Sequence, residues 1–195
     1  MKYSLEQRAQ RYATKAHAQS QQRRKYTNEP YIVHPAAVAD IVRSVSDDEV
    51  MLAAAWLHDT VEDTDTTLND IRRRFGEPVA RLVAMLTENA LPTQCQSRAA
   101  RKAAHFRHTA EASADAQTIK LADIIDNTRE LIQYDAEFAR IYLLEKRLQV
   151  AQLNAGNATL RQTASDIIEN GIQQLTRPPH NIPLSWFSHQ EQKYR

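Results

Sequence analysis

The stretch SDDEVMLAAAWLHDTVEDTDTT, Ser46 to Thr67, decides how the rest of the chain is read. Met51 to Leu57 is apolar on nearly every side, which suits a helix buried all round. Ser46 is the expected N-cap, and Asp47, Asp48 and Glu49 suit the positive end of the helix dipole. His58 to Asp65 then puts one histidine and four carboxylates into eight residues. Burying charge costs on the order of several kcal/mol per ion unless something pairs with it. These acids therefore face solvent, a structural salt bridge or a metal ion. If the helix runs on, His58, Asp59, Glu62 and Asp63 share an arc of about 140°.

The flanking segments repeat the helical pattern. Ser4 and Gln7 form a capping box ahead of Leu5, Ala9, Tyr12, Ala13 and Ala16. QQRRKYTNEP is polar and basic and breaks that pattern, and a second helix is expected from near Pro35. Thr67 and Asp70 open a helix that ends at Gly76, a candidate left-handed C-cap; the next restarts with Pro78 in its first turn. Residues 89–115 read as a loop leading into a short basic helix. AQTIKLADIIDNTRELIQ, AEFARIYLLEKRLQVAQL and NATLRQTASDIIENGIQQL are strongly helical. The last twenty residues carry three of the seven prolines and are expected to wrap the surface or fray. Nothing alternates with period two, and no glycine-rich phosphate loop is present, so the fold class is all-α.

Composition narrows the function. Three glycines in 195 residues favour helix throughout, and this length supports one domain with a sizeable core. A net charge of +1 provides no global field for nucleic acid or an anionic membrane. The single cysteine, Cys95, excludes an internal disulfide, fits a reducing compartment and reads as an ordinary thiol. No apolar run approaches the roughly 18 residues of a membrane span, and the N-terminus lacks the apolar core of a signal peptide. The expectation is a cytoplasmic protein of undetermined oligomeric state.

Two more features bear on chemistry. In IKLADIIDNTRELI, Asp123, Asp126, Asn127 and Glu130 share one helix face, opposite Leu121, Ile124, Ile125, Leu131 and Ile132. In YIVHP, His34 precedes the proline expected to start a helix. Each alone has an ordinary structural explanation. Together His34, His58, Asp59 and Asp123 supply two imidazoles and two carboxylates, a set suited to a divalent first-row metal with positions left for water or substrate. Three helices would bring them together in a bundle core.

These residues resemble a known pattern: H…HD…D, here His34, His58–Asp59 and Asp123, is similar to the HD-domain metal-dependent phosphohydrolases. RKYTNEPYIVHP, AAAWLHDTVEDTDTTLNDIRRRFG, VARLVAMLTE and IKLADIIDNTREL resemble the hydrolase domain of the RelA/SpoT homologues and the stand-alone small alarmone hydrolases. The resemblance implies a single HD-domain helical bundle over residues 1–176 with a Pro-rich tail over 177–195. It implies removal of pyrophosphate from the ribose 3′ position of (p)ppGpp with Mn²⁺, Fe²⁺ and Zn²⁺ remaining open. His34, His58, Asp59 and Asp123 would hold the metal, and Glu62 and Asp63 would act on the attacking water. Arg24, Lys25, Asn127 and Tyr142 would contact the nucleotide, the small-molecule substrate. The chain departs from the family at Asp126, where a histidine or tyrosine is common, and at TNE in the loop before PY. Other HD substrates, (p)ppApp or NADPH, and a non-catalytic alarmone-binding module are the alternatives.

Overall fold

The computed structural model describes residues 3–88, 97–129 and 131–194. The loop expected at 89–96, with Cys95, and also Glu130, lie outside the described residues. Among the described residues there is no strand; one isolated bridge joins Arg23 to Pro30. The helices are α1 (Leu5–Gln19), α2 (Val33–Arg43), α3 (Glu49–Leu57), α4 (Thr60–Asp63), α5 (Leu68–Phe75), α6 (Glu77–Leu86), α7 (Arg98–Ala110), α8 (Ala114–Thr128), α9 (Leu131–Tyr134), α10 (Ala136–Val150), α11 (Ala158–Thr176) and α12 (Leu184–Glu191).

Helix α3 is the centre of the first half, with every residue from Met51 to Leu57 buried. It packs against α1, α2, α6 and α8, so no face is left for solvent. This is the arrangement its all-round apolar sequence demands. Helix α8 is the second spine, packed on α2, α11, α3, α6 and α7, with Ile119, Leu121, Ile124 and Ile125 buried. Both capping boxes, at Ser4 with Gln7 and at Thr67 with Asp70, are formed.

Several helix limits differ from the sequence-based expectation, for identifiable reasons. Asp48, not Ser46, caps α3: its carboxylate accepts from the amides of Val50 and Met51. Helix α2 starts at Val33, two residues before Pro35, so His34 lies in its first turn. The helix does not run through HDTVED: α3 stops at Leu57 and α4 begins at Thr60. The His58 imidazole takes the Ala55 carbonyl and the Thr60 hydroxyl takes the Leu57 carbonyl, each at 2.7 Å. Side chains thus satisfy carbonyls that a continuing helix would otherwise bond. Gly76 has φ +94°, but its extended ψ of 168° is not that of a left-handed cap; it joins α5 to α6 directly.

The C-terminal segment is not frayed. It forms α12, with Phe187 buried and Trp186 edge-on against it. The Tyr194 hydroxyl donates to Glu145 at 2.8 Å, and Arg98 grips the same carboxylate through two bonds of 2.8 and 2.9 Å. The chain end thereby joins α7 to α10.

Candidate metal centre and active site

The start of α2, the end of α3 and the middle of α8 meet in the core at His34, at His58–Asp59 and at Asp123. One ligand atom from each of His34, His58 and Asp59 can be chosen so that all lie within 4.8 Å of one another. Asp59 Oδ2 sits 3.1 Å from His58 Nε2 and 3.5 Å from His34 Nε2. From α8, Asp123 Oδ1 approaches the same two nitrogens at 3.2 and 3.9 Å. The break between α3 and α4 is what presents His58 and Asp59 to one point.

The two imidazoles are held in one tautomer by their other nitrogens. His34 Nδ1 lies 2.6 Å from Asp126 Oδ2, and His58 Nδ1 lies 2.7 Å from the Ala55 carbonyl oxygen. Both acceptors require a proton on Nδ1, so each ring, when neutral, keeps its lone pair on Nε2. Both Nε2 atoms are buried and make no hydrogen bond. Buried polar atoms without partners are rare, and here two aim at the same carboxylates. The donor set, its convergence and the bare Nε2 atoms fit a divalent metal ion, with Asp126 as the orienting carboxylate behind His34.

Without a metal, the surrounding carboxylates favour a second proton on each ring, on the nitrogen that a cation would otherwise take. Burial opposes protonation of His34, but Asp123, Asp126 and Asp59 outweigh it and push its pKa up to about 9. His58 is raised in the same way, burial being outweighed chiefly by Asp59. Asp123 is held well below the usual carboxylate range: burial works the other way, but Lys120 and the two imidazoles win. Lys120 Nζ is 2.8 Å from Asp123 Oδ2, while Asn127 Nδ2 donates to Oδ1 at 2.6 Å. The Tyr31 hydroxyl donates to Asp59 Oδ2 at 2.6 Å. The pocket is therefore built to hold positive charge among fixed anions.

Beside these groups opens a cavity of about 330 Å³, lined by His34, Arg24, Lys25, Asn127, Asp126 and Tyr134 among others. Arg24 Nη1 donates to Asn127 Oδ1 at 2.9 Å, and its Nη2 is 3.5 Å from Asp126 Oδ2. Lys25 is more exposed and leans towards Asp135, at 3.4 Å. Tyr142 is not among the residues that line this cavity; burial pushes its phenol up, and its ring is 5.2 Å from Lys146 Nζ. On α4 the two acids diverge. Glu62 accepts from the Glu88 amide and feels Lys120, whereas Asp63 Oδ2 accepts from Gln22 Nε2 at 2.8 Å.

Residues 9–150 match the model of the HD domain. The chain belongs to the HD-domain family. Among its HD-domain relatives is a probable guanosine-3′,5′-bis(diphosphate) 3′-pyrophosphohydrolase of Synechocystis sp., 44% identical over 115 residues, 57% of this chain and 15% of the relative. Another, the guanosine-3′,5′-bis(diphosphate) 3′-pyrophosphohydrolase MESH1 of Mus musculus, is 43% identical over 119 residues, 60% of this chain and 64% of the relative. The matches thus span less than two thirds of either relative's length. A solved structure, of a metazoan orthologue of SpoT that hydrolyses ppGpp and plays a role in starvation responses, superposes with a TM-score of 0.77. It is 32% identical, and the superposition covers 87% of this chain and 97% of the other.

Sequence reasoning assigned no role here to Tyr31, Lys120, Gln22 or His17, and marked Asp126 only as a polar-face residue and a departure from the family pattern. Asp126 lies on the polar face of α8, but its pairing with His34 crosses 92 residues and has no local pattern. Among the described residues no helix is long and apolar enough to cross a membrane.

Proposed function

We propose that this HD-domain protein is a metal-dependent (p)ppGpp 3′-pyrophosphohydrolase that releases pyrophosphate and leaves GDP or GTP, lowering alarmone levels. The observation that carries the reading is the pair of unbonded, buried Nε2 atoms of His34 and His58 facing Asp59 and Asp123, beside a cavity lined by Arg24, Lys25 and Asn127. His34, His58, Asp59 and Asp123 would hold the ion, Mn²⁺ by family resemblance, with Fe²⁺ or Zn²⁺ as alternatives. When bound, a divalent cation supplies charge against phosphate oxygens and makes water more acidic.

The protein groups then divide the work. Glu62 has its pKa raised chiefly by burial of its carboxyl, the direction that suits a group that accepts and returns a proton. Asp63 orients the attacking water from the other side. Arg24 offers a planar guanidinium for a phosphate or a base, Lys25 a mobile point charge. Asn127 ties Arg24 to Asp123, so the nucleotide wall and the metal site share one support. Tyr142 is a further nucleotide contact by family resemblance alone. Phosphoryl transfer rests on such positioning and charge stabilisation more than on covalent chemistry. A cytoplasmic setting fits the small nucleotide substrate.

The test is purified protein with Mn²⁺ and a panel of ppGpp, pppGpp, ppApp and NADPH, with products resolved by anion exchange. Pyrophosphate released from ppGpp, and abolished by chelator or by Asp59→Ala, is the expected result. Tight ppGpp binding without turnover would replace this reading with a binding module.

A further inference from the structure

Gln22 stands at a point where the chain pays for an unusual backbone. Helix α1 ends at Gln19, and Gln21 then adopts φ +52°, a left-handed conformation that costs a non-glycine residue on the order of 1–3 kcal/mol. The turn brings the Gln22 amide back to the His17 carbonyl at 3.2 Å, and the Tyr31 amide bonds the Gln22 carbonyl at 3.2 Å. Pinned on both sides, the Gln22 side chain reaches two ionisable residues. Its Oε1 is 2.7 Å from His17 Nδ1, and its Nε2 donates to Asp63 Oδ2 at 2.8 Å.

The chemistry of the three groups allows one hydrogen-bond direction. An ionised carboxylate only accepts, so the Gln22 NH₂ must face Asp63. Oε1 then faces His17, whose Nδ1 must carry the proton. His17 is buried, and burial lowers its pKa, consistent with a neutral ring of fixed tautomer. Its ring packs 4.9 Å from that of Tyr31, whose hydroxyl holds Asp59. A buried imidazole in a neutral relay is a device for orientation, since it cannot itself reach substrate.

We propose that Gln22 is a positioning residue for Asp63, its side-chain amide held between that carboxylate and the Nδ1–H of His17. The relay rests on the proposed hydrolase reading in so far as Asp63 acts on the attacking water. It explains why two adjacent acids can differ in role: Glu62 is fixed from the α6 and α8 side, Asp63 from the end of α1.

Two readouts test it. In ppGpp hydrolysis, Gln22→Ala is expected to lower kcat on the order of 10- to 100-fold, with KM and Mn²⁺ affinity within about twofold of wild type. Asp63→Ala should lower kcat at least as far, and the double variant should be no worse than Asp63→Ala alone. Losses that multiply, an unchanged kcat in Gln22→Ala, or a change confined to KM or metal affinity would overturn the proposal. Independently of turnover, ¹⁵N NMR of the wild-type imidazoles should report His17 as the Nδ1–H tautomer, a preference weakened in Asp63→Asn. An Nε2–H tautomer for His17 would also overturn it. Should wild-type protein release no pyrophosphate, the hydrolase reading fails, and the tautomer still decides the relay.

Discussion

His34 Nδ1 lies 2.6 Å from Asp126 Oδ2, and the same carboxylate oxygen lies 3.5 Å from Arg24 Nη2. One side chain thus orients a candidate metal ligand and contacts a candidate nucleotide-binding arginine. It is also one of the positions at which the sequence departs from the pattern it resembles. Asp126→Ala is expected to weaken metal binding by about 10- to 100-fold, the usual cost of losing such a partner. Titration calorimetry with Mn²⁺ checks this, and an affinity equal to wild type would remove Asp126 from the centre.

Metal should stabilise the fold, because its ligands come from α2, the α3–α4 junction and α8. At a free metal concentration of 100 Kd the gain is about 2.7 kcal/mol. For a domain of this size that is a rise in Tm of about 5–10 °C. Scanning calorimetry with chelator and with Mn²⁺ measures the shift, and Asp59→Ala should abolish it.

Lys146 carries a pH signature. Burial, aided by Lys120, lowers its pKa from 10.5 to about 8. Between these values the unfolded chain binds more protons than the folded one, so folding stability from this group rises with pH. Below pH 8 the penalty of the buried charge is present in full; it is relieved as pH climbs towards 10.5. Wild type should therefore gain stability relative to Lys146→Met between pH 7 and 10, read from urea midpoints at each pH. Parallel curves for the two proteins would contradict it.

Gly156 sits against α8, where close approach leaves no room for a side chain. A Cβ there would meet Leu121 Cδ1 at 2.8 Å and the backbone carbon of Gln117 at 3.2 Å. Leu121 can shift, but the backbone cannot do so cheaply. Gly156→Ala is expected to cost about 1–3 kcal/mol, measured by denaturant unfolding.

Much of the architecture was legible because it depends on neighbours in the chain. The capping boxes at Ser4 and Thr67 are local and form as read, and the helix breaks at Gly76 as expected, though not through a left-handed cap. The interruption after Leu57 was not legible from helical periodicity, since it depends on His58 and Thr60 side chains competing for α3 carbonyls. The docking of α12 was missed because its anchor, Phe187, finds its partners only in the folded core.

The sequence by itself determined that the chain is helical, that Met51 to Leu57 is buried, and that HDTVED follows at the point where that helix must meet something polar. Periodicity, capping and the exclusion of unpaired charge from a core act within a few residues, so they can be read along a line. Only the tertiary structure decided that Nε2 of His34 and of His58 has no hydrogen-bond partner, that Asp126 meets His34 and Gln22 meets Asp63, and that Glu62 and Asp63 are held from opposite sides. Those outcomes depend on hydrogen bonds between residues up to about a hundred positions apart, whose distances and directions exist only once the helices are packed.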